Sequence, residues 1–458
     1  FRFCIIKRMD TIVAQSTPVG VSALGVIRTS GSLSVEIARK LFEGSDLCKP
    51  REATRVQYKG VNGDVIDDVI LIRFEAGHSY TGEDILEIMP HGNPLICQKL
   101  IEDLCRRGCR LAGPGEFTRR AYENGRMSIS QAEAVADLIH AQSDRAIEMA
   151  HRHLSGEAGR MMDGFVLELT RLRAEIEAYI DFPEEELPPE DTAGPLARLK
   201  GIMETLGAFR RASANRRLVQ DGVNTLIIGA PNAGKSSLLN ALVGHSRALV
   251  DAQAGTTRDY IVERLWIGPY LVNLFDTAGL RDGAESRLEQ MGIDKTMDLM
   301  DRSDFVLLVV DSAAPIPDLP KVVLDRLKPG RTLLVENKVD LGSSKALGGV
   351  HPEWAHVRVS ATEGIGLEAL QDRWISSLRE IMGDRDSEVL MFNARQAQFI
   401  AAADDELTQA WTILKEGSGT ELAAFHLIRA SEELVQINRE IDNEAVLDSL
   451  FSHFCIGK

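Results

Sequence analysis

Gly229-Ala230-Pro231-Asn232-Ala233-Gly234-Lys235-Ser236 is the stretch on which the reading of this chain turns. It fits G-x-x-x-x-G-K-[ST], the phosphate-binding loop. Val223–Ile228 before it reads as a buried strand, and Ser237–Leu242 after it as the start of a helix. Glycines let the backbone wrap so that several N–H groups converge on phosphate oxygens, and the helix N-terminus adds partial positive charge. In such a loop Lys235 meets the β- and γ-phosphates, and the Ser236 hydroxyl is placed to ligate Mg²⁺.

A nucleotide site needs companions, and they follow in order. Asp276-Thr277-Ala278-Gly279 closes the apolar run 271–275, an Asp at a strand end that can hold Mg²⁺ through water and a Gly that can offer its N–H to a γ-phosphate. Thr256 and Thr257 lie in Ala254-Gly255-Thr256-Thr257, where Thr257 is placed as a second Mg²⁺ hydroxyl, engaged only while the γ-phosphate is present. Asn337-Lys338-Val339-Asp340 closes another apolar strand. The Asp340 carboxylate can accept both the N1–H and the 2-amino group of guanine, a pair adenine lacks. Ser360-Ala361 follows a short strand and can buttress the base. The set resembles the G domain of a GTPase. Leu280 stands where Ras-type proteins place a water-orienting Gln, so Glu285 and Glu289 become the candidates for that task.

Composition narrows the rest. The chain has 458 residues, enough for two or three domains, and its 44% hydrophobic content is that of an ordinary globular protein. No apolar run approaches transmembrane length. The net charge of −16 argues against a strongly basic RNA-binding surface, so a nucleic-acid partner needs a local patch or a second protein. Six cysteines (Cys4, Cys48, Cys97, Cys105, Cys109 and Cys455) form no CxxC pair and no disulfide framework, which fits a reducing cytosol. Cys105 and Cys109, four apart, are expected to share a helix face in the core. Met9-Asp10 reads as a natural start, with residues 1–8 as an extension.

The N-terminal part reads as α+β. Val61-Asn62-Gly63-Asp64 is a hairpin turn between strands 55–59 and 65–74, residues 85–89 form another strand and 95–107 a helix. Polar Gly/Pro loops lie at 79–84, 90–93 and 113–118; His91 is expected to cap or pack rather than bind a metal. From Ile129 the period becomes helical. Ala132, Val135, Ile139, Gln142, Ala146, Met149 and His153 predict one long helix. Phe165, Leu169, Leu172, Ile176 and Ile180 predict a second, and Leu196, Leu199, Met203, Leu206 and Arg210 a third, with an acidic, proline-rich link at 183–191 between them. Helical periods return at 399–414, 422–438 and 444–454. Four segments follow: 1–126, 127–220, a G domain over 221–383, and 384–458, with the G domain inserted into a helical domain.

The chain also resembles the MnmE (TrmE) family of tRNA-modification GTPases, almost end to end. The resemblance rests on Asp10–Gly20 (DTIVAQSTPVG), Val26–Gly31, Ser79–Ile88 (SYTGEDILEI), Pro114–Arg126 (PGEFTRRAYENGR), Gln131–Ile139, the G motifs and the terminal Phe454-Cys455-Ile456-Gly457-Lys458. It implies a multidomain α/β protein: an N-terminal α+β folate-binding domain of aminomethyltransferase-like fold that makes a homodimer, an all-α helical domain, and a Ras-like, K⁺-activated P-loop G domain inserted into the latter. It implies a cytoplasmic enzyme that acts with an FAD-containing MnmG-type partner, in a heterotetramer, on C5 of the wobble uridine of certain tRNAs, using a tetrahydrofolate one-carbon donor.

Residue by residue, the resemblance implies folate contacts at Arg28, Glu87, Arg126 and Lys458, and Glu289 as the catalytic residue. It implies GTP contacts at Asn232, Ala233, Gly234, Lys235, Ser236 and Ser237, at Asp251, Ala252, Gln253, Ala254, Gly255, Thr256 and Thr257, at Asp276, Thr277, Ala278 and Gly279, and at Asn337, Lys338, Asp340, Ser360 and Ala361. Mg²⁺ falls to Ser236 and Thr257, and K⁺ to Asn232, Asp251, Gln253 and Thr256. Asp251 departs from the Thr or Ser of the family, one extra residue lies between Gly279 and Glu289, Asn93 replaces a Gly and Ser128 an Asp. Cys455 matches the family's terminal Cys, with a packed thiol as the expected state. A rival reading is a ribosome-assembly GTPase switch that binds RNA without modification chemistry; the N-terminal region and the FCIGK ending argue against it.

Overall fold

A computed structural model of the chain describes residues 10–42, 49–181, 193–245, 262–276, 297–314, 321–342, 354–382, 389–417, 419–439, 441 and 443–458. It divides into two compact units. One gathers the chain up to Ala136 together with Leu154–Gly159 and Asn438–Lys458; the other holds Asp137–His153 and Arg160–Ile437. The acidic link at 183–191 lies outside the described residues.

The first unit is built on a six-stranded sheet. Its strands are β1 (Ile12–Gln15), β3 (Ile27–Ser30), β4 (Thr54–Lys59), β5 (Val65–Phe74), β6 (Ile85–Met89) and β8 (Arg110–Leu111), in the order β4-β5-β6-β3-β1-β8. Two short strands, β2 (Ser22–Leu24) and β7 (His91–Gly92), pair separately. Alternation in β4 to β6 sends Tyr58, Val69, Leu71, Leu86 and Ile88 into one core, where Cys97, Leu100 and Leu104 of the helix Pro94–Arg106 meet them. Pro94 opens that helix and the Asn93 side chain accepts from Leu95 N–H, a cap worth about 1 kcal/mol. The Asn93 side chain thus has a structural task. The expected hairpin is present, with Gly63 at φ +84° in its turn.

A buried carboxylate ties the helix to this hairpin. Asp103 accepts from the Tyr58 hydroxyl at 2.8 Å, Val61 N–H at 2.8 Å and Arg107 Nε at 2.6 Å. Burial, and then the Asp103 charge, push the Tyr58 phenol pKa upward, so Tyr58 stays a donor. The helix ends at Arg106, so Cys105 and Cys109 do not share a helix face; Cys109 is buried, and burial pushes its thiol up to about 12.

The last residues complete this unit. Leu447, Phe451 and Phe454 pack against Ile129 and Ala132, and Arg119 donates to Glu444 at 2.8 Å and Asp448 at 2.6 Å. The helix predicted over 444–454 stops at Phe451. Beyond it the backbone is bonded in turn: Gly115 N–H donates to the Cys455 carbonyl at 3.4 Å, Phe117 N–H to that of Lys458 at 3.2 Å, and the Ser16 hydroxyl to that of Gly457 at 3.2 Å. Gly457 sits at φ +94°, and a Cβ there would collide with the Gln15 carbonyl, so only glycine fits.

The second unit contains a sheet of β9 (Val223–Ile228), β10 (Val262–Ile267), β11 (Tyr270–Asp276), β12 (Phe305–Asp311), β13 (Thr332–Asn337) and β14 (Ala355–Arg358), ordered β10-β11-β9-β12-β13-β14. All its pairs are parallel except β10–β11. Near-continuous apolar runs such as Phe305–Val310 are what a sheet covered on both faces demands. One face buries Val223, Ile227, Leu307 and Trp374, the other Leu226, Ile228, Leu308 and Leu334.

The helices correct two expectations. The long helix from Ile129 is two, Ile129–His140 and Asp144–Leu154, because Ser143 caps the second by accepting from Ala146 N–H at 3.0 Å; Gln142 lies in the break. The helix Ala193–Ala214 buries Leu199, Ile202, Leu206 and Phe209, whereas Arg210 is exposed and pairs with Asp404 at 3.1 Å. Helices Glu157–Asp181, Ala394–Glu416 and Thr420–Gln436 match the predicted periods closely. The chain's entry into the sheet and its return are tied together: the Met391 carbonyl accepts from His153 Nε2 at 2.8 Å and Arg216 Nη1 at 3.1 Å, and the Ser213 hydroxyl accepts from Phe392 N–H at 2.8 Å.

Asp103→Ala strands the Arg107 charge and the Tyr58 hydroxyl, a cost of about 3 kcal/mol. Amide exchange of β4 and β5 is expected to speed up by roughly 100-fold; unchanged exchange would show that Asp103 does not hold the hairpin.

Candidate functional site

The parallel strands end on one edge of the second unit's sheet, and the predicted motifs stand there: Gly229 after β9, Asp276 closing β11, Asn337 closing β13 and Ser360 after β14. Ligands of open α/β sheets bind outside these carboxyl ends. The phosphate loop has the expected strand before it and the helix Lys235–His245 after it. Gly229 (φ +153°) would drive a Cβ into the Val309 carbonyl, and Gly234 (φ +91°) into Asn337 Nδ2. Lys235 is buried, with Nζ 2.9 Å from the carbonyls of Gly229 and Ala230. Asn232 is exposed at φ +65°, and Ala233 is buried beneath the loop. Ser236 and Ser237 lie exposed on the first helical turn. This cradle fits a nucleotide's phosphates: convergent backbone, a helix N-terminus and one cation.

The Asn337–Asp340 loop is bound to the cradle through the Asn337 side chain. Asn337 Nδ2 donates to the Ala233 carbonyl at 3.0 Å, and its Oδ1 accepts from Ala361 N–H at 3.0 Å. Lys338 is left-handed (φ 64°), which costs about 1 kcal/mol for a residue with a Cβ. Its Nζ pairs with Asp311 at 2.7 Å. Burial works against the Asp311 charge, but the Lys338 hydrogen bond outweighs it and its pKa lies below the ordinary value. Asp340 is exposed at the mouth of the loop, and Ser360 is buried with its hydroxyl accepting from Glu363 N–H at 3.3 Å. The residues Asp251, Ala252, Gln253, Ala254, Gly255, Thr256, Thr257, Thr277, Ala278, Gly279, Leu280, Glu285 and Glu289 lie outside the described residues, as does the Asp276 side chain.

In the first unit, Arg28 and Glu87 are cross-strand partners on β3 and β6. They bind each other: Arg28 Nε and Nη2 both donate to Glu87 Oε1, at 2.9 and 2.7 Å. The Arg28 guanidinium lies 5.7 Å from the Tyr80 ring centroid and 5.8 Å from that of Phe117, within cation–π reach of both. Phe117 also donates its N–H to Lys458, so the chain's last residue lies close to Arg28. Arg126 is exposed, its stem beside Gly82 in the same loop as Tyr80. Beneath lies an ionic network in which Glu116 accepts from Arg110 Nη2 at 2.6 Å and Arg120 Nη2 at 3.2 Å. Burial raises the Glu116 pKa, but Arg110, Gly113 N–H and Arg120 together bring it below its usual value.

Two expectations fail here. His91 neither caps nor packs; its ring is exposed and Nδ1 meets Asp67 Oδ1 at 2.8 Å. Cys455 is exposed, because the tail is held by its backbone while the side chain points outward. Tyr80, Phe117, Asp311 and Ser312 escaped the sequence reading as site residues. The signals were present: the first two stand in polar Gly/Pro loops, the others at the end of an apolar strand. Among the described residues no group of His, Cys, Asp and Glu is placed to hold a metal, and no helix is long and apolar enough to cross a membrane.

Comparison with known proteins gives a consistent picture. Residues 11–126 match the family model described as the GTP-binding protein TrmE N-terminus, and residues 129–455 the one described as the MnmE helical domain. A tRNA modification GTPase MnmE of Opitutus terrae is 45% identical over 98% of this chain and 99% of its own length. Proteins of the same name from Thermotoga maritima and Akkermansia muciniphila are 36% and 37% identical, each over 98% of this chain and 100% and 99% of their own. Among solved structures, the G domain of the T. maritima FeoB iron transporter is 27% identical over 34% of this chain and 98% of that one, with a TM-score of 0.27.

Gly234→Ala is expected to weaken GDP binding by about 100-fold or more in a fluorescent-nucleotide titration, with unaltered circular dichroism. Binding at the original affinity would mean that Asn337 does not pack against the phosphate loop as described.

Proposed function

Because this chain belongs to the MnmE family of tRNA modification GTPases, we propose that it hydrolyses GTP at the edge formed by Gly229–Ser237, Asn337–Asp340 and Ser360-Ala361, in the service of wobble-uridine modification. The observation that carries the nucleotide reading is the Asn337 amide, which joins the phosphate loop to the base-recognition loop. Lys235 neutralises the phosphates. Asp340 reads the guanine edge, and the Ala361 segment backs the base. Glu289 orients or deprotonates the water that attacks the γ-phosphate. Ser236 and Thr257 would hold Mg²⁺, and Asn232, Asp251, Gln253 and Thr256 would hold K⁺, cations that would supply the positive charge other GTPases take from an arginine finger.

The N-terminal unit takes the second role. A carboxylate with one oxygen committed to Arg28 keeps the other for a donor pair on a heterocycle, and Glu87 has that arrangement. With Tyr80, Phe117, Arg126 and Lys458 around it, the site suits a flat, anionic ligand, a tetrahydrofolate derivative that supplies the one-carbon unit. The segments 1–126, 127–220, 221–383 and 384–458 act as folate-binding, helical, G and helical parts of a homodimeric, cytoplasmic protein. It works with an FAD-containing MnmG-type partner and binds tRNA through a local patch or that partner.

GTP hydrolysis in KCl is expected to exceed that in NaCl, at equal ionic strength, by about tenfold or more. Glu289→Ala is expected to lower kcat by roughly 100-fold with little change in KM. Equal rates in both salts, or an undiminished Glu289→Ala enzyme, would remove the cation site or the catalytic assignment respectively. Titration with 5-formyltetrahydrofolate is expected to show binding that Arg28→Ala weakens by about tenfold or more. Absence of binding by the parent protein would favour the ribosome-assembly switch, which has no use for a folate.

A further inference from the structure

The base-recognition loop is held from below by two residues of the neighbouring strand, Asp311 and Ser312. Asp311 ends β12 and is the register partner of Asn337 on β13, so it stands directly beside Lys338. Its Oδ2 takes the Lys338 ammonium at 2.7 Å, and its Oδ1 is fixed by Ala313 N–H at 2.9 Å. Ser312 is 1% exposed. Its N–H donates to the Asn337 carbonyl at 2.9 Å, and its hydroxyl lies 3.0 Å from the Lys338 carbonyl and 3.1 Å from the Gly342 carbonyl. Those two carbonyls bracket Val339-Asp340-Leu341, which forms a single 3₁₀ turn. One hydroxyl thus faces the carbonyls at both ends of the turn that bears Asp340, its single proton shared between them, while Asp311 restrains the side chain of the strained residue at its start.

We propose that Ser312 and Asp311 are positioning residues for base specificity, setting where the Asp340 carboxylate lies relative to the guanine edge. The proposal rests on the reading of Asp340 as the base-recognising group. A bidentate contact is sensitive to small displacements, since both hydrogen bonds must form together. A displaced carboxylate no longer makes two well-aligned bonds at once, and only GTP offers it a second one to lose. Loss of the Ser312 hydroxyl therefore weakens GTP more than ITP, whose base lacks the 2-amino group. A merely structural role lowers the affinities for GTP and ITP by the same factor and leaves their ratio alone.

The experiment is equilibrium binding of GTP, ITP and XTP to the full-length parent protein and to Ser312→Ala, Asp311→Asn and Asp340→Asn. Ser312→Ala is expected to weaken GTP by about tenfold and ITP by less than about threefold, narrowing the GTP-to-ITP ratio. Asp311→Asn keeps the shape but loses the charge, and is expected to narrow the ratio in the same direction; it serves alone if Ser312→Ala does not fold. Asp340→Asn checks the reading beneath the proposal, because an amide there offers a donor to the 2-oxo group of xanthine and shifts preference toward XTP. An unchanged GTP-to-ITP ratio in Ser312→Ala and Asp311→Asn, with the XTP shift present, would overturn the positioning role and leave the Asp340 reading standing. Absence of the XTP shift would overturn both.

Discussion

The carboxamide of Asn337 is the contact on which the nucleotide edge depends. It is a short side chain with one donor end and one acceptor end, and it uses both inside the protein. A carboxylate in its place would repel the Ala233 carbonyl, and an apolar residue would leave that carbonyl unpaired and buried, at about 1–3 kcal/mol. Three segments distant in sequence are thus held at one spacing by an amide that need not touch the nucleotide. Gly234 follows from it, because the amide lies where a Cβ would be.

The N-terminal unit follows a similar logic with charges in place of an amide. Arg28 is half-satisfied by Glu87 and half-satisfied by ring faces, so its planar guanidinium is held without being used up. The rings belong to loops that are themselves anchored. Tyr80 shares a hydroxyl contact of 2.9 Å with Thr118, and Phe117 is fully buried and bonded to the tail. Arg120 beneath them joins Asp10, Glu83 and Glu116. Such a network tolerates few vacancies, since each buried charge relies on its neighbours for the solvation that water no longer provides.

Much of this was legible from the chain. A strand followed by GAPNAGKS and a helix has few other uses, and the hairpin at Val61–Asp64 carries its turn chemistry openly. Helical periods located Glu157–Asp181, Ala394–Glu416 and Thr420–Gln436, because burial of one face imposes them, but Leu367–Met382 was not read from the sequence. What escaped depends on registers and directions that periodicity does not encode. Arg28 and Glu87 were placed at a common site, yet their mutual ion pair follows from a strand alignment that only the sheet reveals. The break at Ser143 was hidden because the apolar spacing runs through it, while the cap that makes it is a single hydroxyl. Cys455 was expected as a packed thiol, but the tail is gripped through its backbone carbonyls and the thiol is left exposed.

That grip bears on how the protein is made. The Ser16 hydroxyl waits for a carbonyl 441 residues further along, and Arg119 for a carboxylate 329 residues further along. At about 5–20 residues per second, a ribosome needs roughly 20–90 s to supply the missing strap. Through that interval Ser16 and Phe117 lack the tail carbonyls they bond, while everything between, including the whole sheet of the second unit, emerges. The unit synthesised first is therefore the one completed last. A nascent-chain chaperone would meet it as an almost finished body with one apolar seam, formed by Ile129 and Ala132, still uncovered.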